Sequence, residues 1–205
     1  MDIEKINFGA IPKNKTSVKK FNKVTKRFVN YPVYFVKLDK YNKNDLDAID
    51  KTAQKWKDTD YIKDINTSSH WMQFKPIEVY ALTSQQNNFE NLKADYILGL
   101  AEIRNNKNNS NLKILNHIQV RPNAINVNQT NKLAYKHVGS AILESLKKIY
   151  KDISLVAVED DNVYGFYKRN GFIDDFNGSR HFQWSSNIFK RAMLRIAKFR
   201  REYGI

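Results

Sequence analysis

The chain has 205 residues, 41% apolar and 13% aromatic, enough for one folded domain with appendages. Its 35 basic side chains outnumber 21 acidic ones, and the absence of cysteine excludes disulfides, a thiol nucleophile and thiolate metal sites. No run reaches the roughly 18–20 apolar residues of a membrane span. The charged start Met1-Asp-Ile-Glu-Lys5 has no apolar segment behind it, so the expectation is a soluble, cytoplasmic protein without a transmembrane segment.

Residues 1–29 hold eight basic side chains against Asp2 and Glu4, with Gly9, Pro12 and no apolar period. They read as an extended or loosely packed basic arm over 1–30. Tyr31–Asp39 is rich in aromatic and β-branched residues and predicts a first strand. Asn44 is a candidate cap for a helix carrying Leu46, Ile49, Ala53 and Trp56. The polar stretch Asp58–Ser69 predicts a second short helix and a loop. Strands follow at Ile77–Thr83 and Ala94–Ile103, joined by a hairpin loop at 85–91. A turn at 105–111 leads into a strand at Leu112–Val120, which Pro122 ends.

Asn123–Leu133 is polar and aperiodic, an enlarged loop. Val138, Ile142, Leu146 and Ile149 keep helical spacing to Tyr150. Ile153–Val158 reads as a strand covered on both faces. A short helix over 160–170 ends at Gly171, Phe172 opens the next strand, and His181–Ser185 is the last. Phe189, Met193, Ile196, Phe199 and Tyr203 form the apolar stripe of a final helix within 187–205, with Arg191, Arg195, Lys198 and Arg201 largely opposite.

Two motifs carry chemistry. Tyr135-Lys-His-Val-Gly-Ser-Ala-Ile-Leu143 reads as a tight turn feeding a helix opened by Gly139, Ser140 and Ala141. Backbone N–H groups there, with the helix dipole behind them, suit a phosphate group. The same small residues also suit a core helix packing closely. Phe166-Tyr-Lys-Arg-Asn-Gly-Phe172 reads as a helix end entering a strand. Together, and in this order, the motifs resemble the acetyl-CoA-binding half of the GNAT superfamily of N-acetyltransferases. The predicted order β-α-α-β-β-β-α-β-α-β over 31–186 fits that layout. The resemblance implies an α/β (α+β) fold with a mixed, mostly antiparallel central sheet flanked by helices. A C-terminal amphipathic helix follows it. It also implies acetyl-CoA as cosubstrate and transfer of an acetyl group to a primary amine.

The family's phosphate-loop pattern falls on this chain in two registers. One sets Lys136 in the basic or amide slot, Gly139 at the first glycine and Ala141 at the last position. The preferred one sets Ala134 in that slot, His137 at the first glycine and Gly139 at the second. In it Ala134 and His137 depart from the family, and Lys136 and His137 are candidates for direct phosphate contacts alongside Val138, Gly139, Ser140 and Ala141. The resemblance further assigns Ile118, Gln119 and Val120 to the pantetheine arm and thioester carbonyl. It assigns Tyr167 to the proton for the departing thiolate, against packing of its ring on the sheet. Asn162 is a pantetheine candidate or a plain N-cap, and Asp160 competes for the pantetheine slot. For the base, Glu102, His117 and water alone all stand.

Residues 179–205 hold seven basic side chains against Glu202, so both ends are strongly positive. Such fields suit an anionic partner such as tRNA or a ribonucleoprotein, and also follow from a Lys- and Asn-rich composition. The alternative to catalysis is a silent module of this fold that binds nucleic acid through its basic termini. The expected use of the final helix is to cover the domain core or a homodimer partner; a membrane surface suits a basic amphipathic helix as well. The acceptor is left open.

Overall fold

The computed structural model describes residues 9–56, 77–122, 134–176 and 179–204. The predicted helix at 58–69 and the enlarged loop at 123–133 lie outside them. The chain divides into two compact units, Met1–Glu102 with His117–Ser145, and Ile103–Asn116 with Leu146–Ile205.

In the first unit β1 (Ile11–Asn22) and β2 (Arg27–Lys37) form an antiparallel hairpin, paired from Ile11↔Lys37 to Asn22↔Arg27. Asn22 makes the turn by accepting the N–H groups of Val24 at 2.9 Å and Thr25 at 3.1 Å. The expected extended or loosely packed arm is an extended, paired strand from residue 11 onward. Its period of two was hidden because Val18 is its sole buried residue. The second half of β2 buries Val33, Phe35 and Val36 and pairs antiparallel with β3 (Ile77–Thr83). Helix α1 (Lys43–Lys55) packs Ala48 and Ile49 with Val36, Val79, Ala81, Ile97 and Leu100 in one core. Its cap is Asn42, not Asn44: the Asn42 side chain accepts the N–H groups of Asn44 at 2.9 Å and Asp45 at 3.2 Å. An N-cap must bond the second or third residue after it, and Asn42 stands at that offset.

Gln85 organises the loop from β3 to β4 (Ile97–Asn105). Its amide nitrogen donates to the carbonyls of Asn87, Asn88 and Asn91 at 2.9, 2.6 and 3.2 Å, and its oxygen accepts the Lys93 N–H at 3.0 Å. Strand order in this unit is β6-β1-β2-β3-β4-β5, where β5 is Leu112–Val120 and β6 is Tyr135–Lys136. Helix α2 (Val138–Ile149) follows β6.

In the second unit the order is β4-β5-β7-β9-β8, with β7 Asp152–Val156, β8 Ile173–Asp174 and β9 His181–Ser185. The β5–β7 ladder is parallel, from Leu112↔Asp152 to Leu115↔Leu155, and β9 closes the other side of β7 antiparallel. The sheet is thus mixed and mostly antiparallel, as expected. The apolar run to Val158 overshoots β7, and Val156 and Val158 are exposed. Helix α3 (Asp161–Arg169) ends as Gly171 predicted, at φ 78°. The Gly171 N–H bonds the Lys168 carbonyl at 2.9 Å and the Phe172 N–H that of Tyr167 at 3.1 Å, a Schellman closure.

Helix α4 (Ile188–Tyr203), whose apolar stripe is expected to cover the core or a homodimer partner, does not cover the core with it. Its basic side holds it instead. Lys190 pairs with Asp152 at 2.9 Å, Lys198 with Asp174, and Arg201 with Asp175 at 3.6 Å, while Arg191 donates to the Ser185 carbonyl at 3.1 Å. Ile188, Phe189, Met193, Ile196, Phe199 and Tyr203 are 46–74% exposed.

Candidate functional site

The first motif lies entirely in the first unit. Strand β6 pairs with β1 (Lys19↔Lys136, Lys20↔Tyr135), and the Ala134 carbonyl accepts the Phe21 N–H at 3.0 Å. The chain then turns sharply at His137, whose φ is 64°. That left-handed conformation favours glycine and is uncommon for other residues. It falls at the position where the preferred register expects a glycine. The Ala141 N–H closes the first helical bond to the His137 carbonyl at 2.9 Å. The N–H groups of Val138, Gly139 and Ser140 precede that bond, and among the described residues none of the three has an acceptor. Lys136, a candidate phosphate contact, holds its ammonium 4.3 Å from the centre of the Phe28 ring.

Gly99 of β4 seats this helix on the sheet. A Cβ there would lie 2.5 Å from Ile142 Cδ1, 3.2 Å from Val138 Cγ1 and 3.1 Å from the Gln119 carbonyl oxygen. The start of α2 therefore rests on β4 beside the end of β5, bringing Val138 near Gln119. Sequence reasoning passed over Gly99, although a glycine inside an otherwise apolar strand signals a close approach. Gln119 is buried, Ile118 and Val120 are half-buried, and the Arg121 N–H bonds the Leu98 carbonyl at 2.8 Å. Strand β5 runs five residues past Leu115, the last rung of its parallel ladder. Of the candidate bases, His117 is half-buried in β5, and Glu102 in β4 is 1% exposed.

Tyr167 lies in the second unit on α3, 7% exposed, with ring centres of Phe166, Phe172 and Phe182 at 5.2, 5.8 and 5.6 Å. Burial pushes its hydroxyl up to about 12, so it stays protonated at any ordinary pH. The hydroxyl makes no hydrogen bond among the described residues. The N-cap of α3 is Asp160, whose carboxylate accepts the N–H groups of Asn162 at 2.7 Å and Val163 at 3.2 Å. Asn162 is thus not the cap; it is exposed in the first turn.

A feature that sequence reasoning blurred is the surface of the β1–β2 hairpin. Between Ile11 and Leu38 there is no acidic side chain, against Lys13, Lys15, Lys19, Lys20, Lys23, Lys26, Arg27 and Lys37. Lys20 sits over Tyr31 at 4.3 Å, Phe21 and Phe28 meet edge to face at 5.4 Å, and Tyr135 reaches Tyr31 at 6.3 Å.

No family model and no curated protein matches the chain. Solved structures similar to it include the PaiA N-acetyltransferase of Thermoplasma acidophilum in complex with coenzyme A. It is 16% identical over 75% of this chain and 98% of that one, with a TM-score of 0.45. A spermidine N-acetyltransferase SpeG chimera from Vibrio cholerae and hSSAT is 16% identical, over 80% and 98%, at 0.43. Tetrahymena GCN5 is 12% identical, over 71% and 90%, at 0.43. Among the described residues the chain forms a mixed, mostly antiparallel sheet with four α-helices.

Proposed function

We propose that the protein is an acetyl-CoA-dependent N-acetyltransferase acting on a primary amine. The observation that carries this reading is the turn at His137. The chain turns there into a twelve-residue helix whose first three N–H groups have no acceptor among the described residues. A pyrophosphate needs such convergent donors, and the helix dipole favours its charge. Val138, Gly139, Ser140 and Ala141 would hold it, with His137 and Lys136 flanking. Ile118, Gln119 and Val120 would line the pantetheine arm. Acetyl-CoA, when bound, supplies an activated acyl group as a thioester. The resemblance assigns the departing sulfur to Tyr167, whose hydroxyl stays protonated, and the pantetheine to Asn162 in the first turn of the same helix. For the acceptor's proton, half-buried His117 is better placed to exchange with water than Glu102, which is sealed in β4.

Titration calorimetry with acetyl-CoA on the native chain and on Ser140→Asp tests the reading. A carboxylate in the first turn suits the helix itself but repels a pyrophosphate. Binding by the native chain, lost in Ser140→Asp while its melting temperature holds, is the expected pair of results. No binding at millimolar cofactor would sink the enzyme reading.

The acid-free hairpin favours an anionic macromolecule as acceptor or as sole partner. Cations interleaved with half-exposed rings suit the phosphates and bases of single-stranded nucleic acid. Replacing Lys19, Lys20, Lys23 and Lys26 with glutamine should lower the dependence of RNA affinity on salt. An unchanged slope clears the hairpin of that role.

A further inference from the structure

An amphipathic helix at the edge of a domain normally turns its apolar stripe inward. Helix α4 is rolled the other way. Lys190, Arg191, Lys198 and Arg201 bind Asp152, the Ser185 carbonyl, Asp174 and Asp175 of its own unit, and these contacts set the roll. The outward arc carries Ile188, Phe189, Met193, Ile196, Phe199 and Tyr203, all largely exposed. Leaving six large apolar side chains in water forgoes most of the transfer free energy their burial would bring. Contiguous patches of this kind mark a surface that is covered in use.

The charges around the arc identify the cover. Arg195 and Arg200 lie along it, exposed and in no ion pair among the described residues. The helix has a single acid, Glu202, which is turned toward Lys198 at 3.6 Å. Two copies joined face to face would set these arginines against their own images with no carboxylate to answer them. An anionic surface answers both at once. At 16 residues, about 24 Å, the helix is too short to cross a bilayer. It is a protruding ridge of rings and branched chains between arginines, which suits the boundary of headgroups and acyl chains. We propose that α4 docks the protein on a membrane surface rich in anionic phospholipid. This inference is independent of the acetyl-transfer reading.

Co-sedimentation with vesicles of phosphatidylglycerol or of phosphatidylcholine tests it, alongside light scattering for mass in solution. The native chain should bind phosphatidylglycerol vesicles and leave phosphatidylcholine vesicles unbound. Phe189→Ser with Phe199→Ser should weaken binding roughly tenfold or more, with the melting temperature kept because both rings face water. Arg195→Gln with Arg200→Gln should weaken it and reduce its salt dependence. Phe189→Trp adds an optical readout, a blue shift of indole emission on adding vesicles. Failure of the native chain to bind phosphatidylglycerol overturns the proposal. So does a dimer that the two serine substitutions dissolve, which would give the face to a second copy. Equal binding to both lipids, or binding indifferent to the phenylalanines, overturns it too.

Discussion

In the proposed reaction Tyr167 would face the departing sulfur, and its surroundings limit what it could do there. A hydroxyl pushed up to about 12 is a weaker acid than an ordinary thiol, near 8.5. Full proton transfer from tyrosine to a free thiolate is therefore uphill. What the group can offer is a hydrogen bond that strengthens as charge builds on sulfur, with the amine's proton completing the balance. Three aromatic neighbours fix the ring, so little ordering is needed at the moment of reaction. Tyr167→Phe should then lower turnover toward the smaller end of general-acid effects, roughly 10²-fold, with cofactor affinity nearly kept. Stability should hold, because the hydroxyl has no partner among the described residues to leave behind. Single-turnover kinetics and a melting curve on the same variant check both halves, and unchanged turnover leaves Tyr167 a packing residue only.

At the scale of elements, α2 depends on a glycine in a different element. Its first turns lie so close on β4 that a methyl at position 99 meets Ile142, Val138 and the Gln119 carbonyl. The Ile142 terminus can rotate away, but the backbone oxygen cannot. Gly99→Ala should cost about 1–3 kcal/mol and, on the proposed reading, weaken acetyl-CoA binding by lifting the helix start. Denaturant unfolding and cofactor titration read the two effects, and a variant as stable as the parent would show that the helix relaxes freely. What was legible in the sequence follows the same division. Periodic helices and apolar strands such as β3 and β5 could be read because burial leaves a pattern. Gly171 could be read because a left-handed helix stop has a chemical signature. Strand β1 could not, since its partner is β2 and a hairpin with mainly solvated side chains leaves no apolar alternation. The stripe of α4 was legible, but its direction was not. Roll is decided by Asp152, Asp174 and Asp175, which are distant in sequence from the lysines and arginines they hold.

Over the whole molecule, the two units carry carboxylates of opposite character. Asp45 of the first unit is buried and accepts the Asp39 N–H at 2.7 Å; burial raises it to about 6. Its folded form binds a proton more readily than its unfolded form, ordinarily near 4. Its contribution to stability is therefore fullest at low pH and is lost as pH rises through about 6. In the second unit burial would raise Asp174 and Asp152 as well, but bonds outweigh it. Lys198 and Lys168 hold Asp174 below the usual carboxylate range, and Ser185 and Lys190 do the same for Asp152. Their contribution is present above the ordinary carboxylate range and is lost on acidification. Acid should therefore loosen α4 and its anchors while relieving the burial of Asp45. Asp45→Asn, which keeps an acceptor for the Asp39 N–H, should flatten the fall in melting temperature between pH 4 and pH 6. Asp174→Asn should leave that window unchanged, and lower stability near neutral pH, where two lysines lose their shared partner. Melting temperatures of the three proteins across pH decide it: an Asp45→Asn curve parallel to the parent's would mean that this carboxylate ionises freely in the folded chain.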